Sequence, residues 1–96
     1  MDNCQTHYDV VIKSMSDLYH RKNHDYGNSF DQTLDEFGLA AAAVRMSDKF
    51  NRFKTLSRST AEVNDEKITD TLIDLANYAI MTVAWLDKQY QHDISC

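Results

Sequence analysis

Arg45, Asp48, Lys49 and Arg52 recur at i, i+3, i+4 and i+7, a spacing that sets all four along one side of an α-helix. Three cations and one carboxylate in a row describe either a solvated face, with an Asp48–Arg52 pair at i, i+4, or a rail that grips phosphate oxygens. Further along, Asp70, Asp74 and Asn77 fall at i, i+4 and i+7 inside a stretch that is otherwise apolar. Carboxylates in such surroundings need a cation, a metal or hydrogen-bond donors to offset the loss of water. Antiparallel helices would set Arg45, Asp48, Lys49 and Arg52 opposite Asp70, Asp74 and Asn77 across a polar seam. That seam either satisfies itself as an ion-pair network or is completed by a phosphate-bearing ligand, with or without Mg²⁺.

A third group lies in the segment Lys22-Asn23-His24-Asp25-Tyr26-Gly27-Asn28-Ser29. Lys22 supplies a cation, Asp25 a carboxylate and Tyr26 an aromatic face, a set suited to stacking and reading a base or ribose. The same composition is that of an ordered loop, with turn formers gathered around a glycine. His24 is of the residue type that can titrate near neutrality, but no Cys or second His stands at a zinc-ligand spacing, and His7, His20 and His92 read as surface residues. There is no Ser-His-Asp or Cys-His arrangement, P-loop or dinucleotide glycine fingerprint, so nucleophilic catalysis is disfavoured.

Three helices are expected to carry these groups. Over residues 5–22, Tyr8, Val11, Ile12, Met15, Leu18 and Tyr19 follow helical spacing. A second helix begins near Gly38 and ends near Leu56, with Leu39, Ala43, Met46, Phe50 and Phe53 as its core stripe. Asn64, Asp65 and Glu66 give an N-cap and an acidic first turn to a third helix that reaches about Tyr90. Ile68, Leu72, Leu75, Ala76, Ala79, Val83 and Leu86 form its apolar face, and Ile73, Ile80 and Trp85 add flanks. Such a helix is apolar nearly all round, and three helices of one small chain cannot easily cover it, so part of it is expected to pack on another protomer.

Composition agrees. Ninety-six residues make one domain, 1–96, without internal repeat or low-complexity stretch. A chain this short buries little over roughly 60% of its unfolded surface, which favours homo-oligomerisation. Proline is absent and there are two glycines, which excludes a turn-rich β fold. Ten basic against fifteen acidic residues, a net charge of −5, argue against direct binding to nucleic acid or anionic membranes. The longest apolar run, 72–86, is broken by Asp74 and Asn77 and is shorter than the ~18–20 residues of a membrane span. Cys4 and Cys96 sit far apart, with no metal-type spacing and no secretory pattern after Met1, the usage of a reduced cytoplasmic protein.

Taken in order, Lys22-Asn23-His24-Asp25-Tyr26-Gly27-Asn28-Ser29, Arg45-Met46-Ser47-Asp48-Lys49-Phe50-Asn51-Arg52 and Asp70-Thr71-Leu72-Ile73-Asp74-Leu75-Ala76-Asn77-Tyr78-Ala79 resemble the phage and prophage family called nucleotide modification associated domain 1. The resemblance spans about residues 8–86. That family is in turn similar to the all-α NTP pyrophosphatases of the MazG and dimeric dUTPase type. It implies an all-α bundle completed by protomers, a nucleotide-sized pocket and, for phage proteins, the cytoplasm of a bacterial host. In those pyrophosphatases ExxE and ExxD motifs hold Mg²⁺ on the triphosphate. Here the first motif reads Arg45-Met46-Ser47-Asp48, a cation replacing the first carboxylate, and the second offers Asp74 with Asp70 one turn earlier.

An arginine binds phosphate without metal through its planar fork, so the substitution shifts the expectation from hydrolysing a nucleotide to holding one. The favoured reading is a phage-type counter-defence sponge that sequesters a nucleotide-derived signalling molecule with no cofactor. In it Arg45, Lys49 and Arg52 hold phosphates, Tyr26 or Trp85 stacks the base and Asp70, Asp74 or Asn77 reads amines or hydroxyls. Lys22, Asp25, Asp48 and Tyr78 complete the ligand-binding candidates. The alternative is a Mg²⁺-dependent NTP or dNTP pyrophosphohydrolase, with Asp48, Asp70 and Asp74 as catalytic metal ligands. A structural helical oligomer with a self-satisfied seam is the third expectation.

Overall fold

The computed structural model describes residues 6–22, 26–58 and 65–90, with backbone alone at Tyr26, Gly27, Asp65 and Glu66. Thr6 opens the first helix. Its hydroxyl accepts from the Asp9 amide (3.2 Å) while the Asp9 carboxylate accepts from the Thr6 amide (3.1 Å), a reciprocal cap that satisfies two backbone donors. From it run α1 (His7–Lys22), α2 (Tyr26–Phe37), α3 (Leu39–Arg58) and α4 (Asp65–Tyr90). The described residues are all-helical, as expected, but the helices number four, not three.

The additional helix is α2. Tyr26 to Ser29, expected in a loop, form its first turn, where free backbone N–H groups accept polar neighbours such as Asn28 and Ser29. What holds it is the i, i+4, i+7 series Phe30, Leu34 and Phe37, whose first two members are 1% and 0% exposed and form the centre of the core. Asn23, His24, Asp25 and the expected cap Asn64 lie outside the described residues.

Gly38 is the whole connection between α2 and α3. It takes φ 74°, a left-handed value that suits glycine at a helix end, and its N–H donates to the Leu34 carbonyl at 2.7 Å. Both helices run antiparallel to α4. Lys88 Nζ donates to Asp31 at 3.0 Å and Trp85 Nε1 to Asp35 at 2.9 Å, while Lys49 meets Asp74, so ascending positions on α2 and α3 meet descending positions on α4. Phe30, Leu34, Ala42, Tyr78 and Met81 make the shared core, with Tyr19, Met46 and Trp85 packed on it.

The expected core stripes are corrected accordingly. On α3, Leu39 and Phe50 are exposed and Ala43 is outside; Ala42 is the buried residue, with Met46 and Phe53 half-buried. α3 is held between two neighbours, and the side they share accepts the small Ala42. On α4 the buried positions are Thr71, Asn77, Tyr78, Met81 and Thr82, whereas Leu72, Ala79 and Val83 face outward. Thr71 and Thr82 are tolerated in the interior because each hydroxyl donates to the carbonyl four residues back, at 2.8 and 2.7 Å. On α1 only Met15 is buried; Tyr8, Val11 and Ile12 are exposed. No helix among the described residues is long and apolar enough to cross a membrane.

Candidate functional site

The groups expected to share one seam are distributed over three places. At the contact of α3 with α4, Lys49 Nζ donates to Asp74 Oδ2 at 3.0 Å, with the two side chains 30% and 32% exposed. This is the part of the expected seam that forms, and water still reaches it. One turn earlier on α3, Arg45 is half-buried and has no ion-pair or hydrogen-bond partner among the described residues. It lines an open groove of about 300 Å³ between α2 and α3, together with Thr33, Phe37 and Val44. Asn77, one turn after Asp74, lies against α1 and not α3. It is 3% exposed, its amide nitrogen lacks a partner, and it lines a cleft of about 280 Å³ between α1 and α4.

The other candidates stand apart. Asp48 and Arg52 are exposed on α3 and do not pair with each other, and Asp70 is exposed on α4. Lys22 is exposed at the end of α1. Asp25 lies outside the described residues, and Tyr26 is described as backbone only. Tyr78, counted as a ligand contact, is instead a core residue 9% exposed, its ring 5.0 Å from that of Phe30. Trp85, expected to stack a base, is half-buried against the core with its indole N–H committed to Asp35. Apolar burial and ligand stacking call for the same aromatic side chains, so the sequence alone does not separate the two roles.

The three carboxylates expected to hold Mg²⁺ do not fit that task. Asp48 and Asp70 are exposed while Asp74 faces an ammonium group, and no three acidic, histidine or cysteine side chains among the described residues gather as a metal site would require. Two residues of the Arg45 groove were missed from sequence, Thr33 and the 64%-exposed Phe37. The spacing of Phe30, Leu34 and Phe37 is the signal that would have found them, because it continues a helix up to the groove. Arg45 beside the Phe37 ring offers a planar cation for a phosphate next to an aromatic face for a base.

The family model for nucleotide modification associated domain 1 matches residues 22–86. The chain belongs to this family. The match takes in α2, α3 and α4 as far as Leu86, and so the Arg45 groove and the Lys49–Asp74 contact. No curated protein and no solved structure matches the chain.

Proposed function

We propose that this member of the nucleotide modification associated domain 1 family binds a nucleotide or nucleotide-derived signalling molecule and sequesters it intact, as a phage-type counter-defence sponge. Arg45 carries the reading. A half-buried guanidinium without an anionic partner among the described residues is a standing site for phosphate oxygens, which its planar fork can take in pairs. Phe37, at the mouth of the same groove, supplies the stacking face, and Lys49 on the next turn exchanges Asp74 for a second phosphate when a ligand is bound. Sequestration is favoured over hydrolysis because, of the carboxylates that would hold a divalent cation, Asp48 and Asp70 are exposed and Asp74 is engaged by Lys49. Likeness to the all-α NTP pyrophosphatases, phage origin and location in the host cytoplasm belong to this proposal and rest on the sequence motifs.

The test is incubation of the protein with NTPs, dNTPs, cyclic dinucleotides and ADP-ribose derivatives, with Mg²⁺ and with EDTA, followed by filtration, denaturation and chromatography. A nucleotide depleted from the filtrate in both conditions and returned intact on denaturation is the expected result. Conversion to a monophosphate only with Mg²⁺ overturns it in favour of the pyrophosphohydrolase. Recovery of every nucleotide in the filtrate leaves a structural oligomer.

A further inference from the structure

The outward face of α4 has a periodicity of its own. Leu72, Ala76, Ala79, Val83 and Leu86 stand at steps of four, three, four and three, the alternation of a heptad seam, in which successive a and d positions meet a partner helix. No charged side chain interrupts it. Among the described residues it is left largely uncovered: Leu72 is 40% and Val83 62% exposed, Ala79 is exposed, and Ala76 and Leu86 are half-buried. On one flank the seam opens into a mostly apolar groove of about 570 Å³ against α1, whose lining includes His7, Tyr8, Val11, Ile12, Ala79 and Ile80.

We propose that this face is the interface with a second copy of the chain, the two α4 helices packing antiparallel about a two-fold axis near Asn77 and Tyr78. Self-complementarity identifies the occupant. In that register Leu72 of each copy meets Val83 of the other and Ala76 meets Ala79, so large residues close the two ends while alanines at the centre allow close approach. The exposed α1 residues Tyr8, Val11 and Ile12 then flank the crossing helix.

The areas agree. The exposed apolar side chains of this face amount to roughly 600 Å², near the ~800 Å² per partner of a standard interface. The chain exposes 7,027 Å², whereas a compact monomer of its mass exposes about 5,700 Å². Its radius of gyration is 15.4 Å, against about 12.5 Å for a compact domain of this length. A single copy thus exposes more surface than a compact chain of its mass, a difference that pairing reduces. A nucleotide is a poor occupant, because the lining is mostly apolar and offers its phosphates no lysine or arginine, only His7.

The test combines mass with position. Sedimentation equilibrium of the full chain at about 50 µM, well above a Kd of ~1 µM, is expected to give twice 11.1 kDa or an even multiple, and Leu72→Glu with Val83→Glu is expected to halve that mass. To separate assembly from folding, a second variant places Leu72→Cys and Val83→Cys together in a Cys4→Ser, Cys96→Ser background. Eleven residues apart on one helix lie about 16 Å from each other, too far for a disulfide within one chain. Mild oxidation is therefore expected to give a covalent dimer in non-reducing gels, which either Cys substitution alone does not give. A monomeric wild type leaves the seam to some other protein or ligand and overturns the proposal. So does an oligomer that the Glu pair leaves intact, a double-Cys protein that stays monomeric, or a ladder of open polymers, which marks a head-to-tail contact.

Discussion

Removing the charge of Asp74 tests whether the α3–α4 contact is a lock or a replaceable pair. At the 3.0 Å separation of Lys49 Nζ and Asp74 Oδ2, unit charges attract by about 1.4 kcal/mol in bulk water and about 5.5 kcal/mol at an effective dielectric near 20. The side chains are 30% and 32% exposed, so water screens the pair, and holding two side chains in place offsets part of the gain. A net contribution of about 1 kcal/mol follows, at the upper end of measured exposed pairs, where a fully buried pair would be worth about 3 kcal/mol or more to the variant that breaks it. Asp74→Asn is therefore expected to lower Tm by about 4–8 °C. A double-mutant cycle with Lys49→Met, read by urea unfolding, is expected to give a coupling of about 1 kcal/mol. Coupling of about 3 kcal/mol or more would refute the reasoning, because a pair that strong would not release Lys49 to a phosphate. Coupling indistinguishable from zero would refute it from the other side, leaving the contact no part in the fold.

Three further outcomes are expected. Leu34→Ala, at a position 0% exposed between α2, α3 and α4, should cost about 2–5 kcal/mol in urea unfolding, enough to unfold a marginal chain. Gly38→Ala should cost about 1–2 kcal/mol from its positive φ alone, since no atom lies within 4 Å of the added methyl; Gly38→Asn, which tolerates that conformation, should cost clearly less in the same thermal melts. Arg45→Ala should leave unfolding within about 0.5 kcal/mol of wild type while weakening any nucleotide found in the filtration screen by about 10- to 100-fold in calorimetry, the loss of a charge-assisted contact worth roughly 1.5–3 kcal/mol.

Local rules were legible in the chain. The all-helical class and the approximate limits of α1, α3 and α4 follow from periodicity and the scarcity of glycine and proline, each a property of neighbouring residues, while the antiparallel course of α3 and α4 followed from the need to pair their polar groups. The pairing of a helix-two cation with a helix-three carboxylate also followed, because burial demands compensation, and Lys49 with Asp74 is where it occurs. α2 escaped because its polar first turn reads as a loop when taken without Phe30, Leu34 and Phe37.

Which side of each helix turns inward was not legible. α4 carries apolar residues on two faces, and spacing alone favoured the outer one, Leu72, Ala79 and Val83, over the inner one with Tyr78 and Met81. Only the packing of α2 and α3 against α4 decided between them, and the same choice sent Arg45 to one groove, Asn77 to another and Tyr78 to the core. The sequence by itself determined which residues recur on a common side of each helix, since the backbone's 3.6-residue turn settles that locally. The tertiary structure decided which side finds a neighbour, since burial is a property of the surfaces that meet and not of either surface alone.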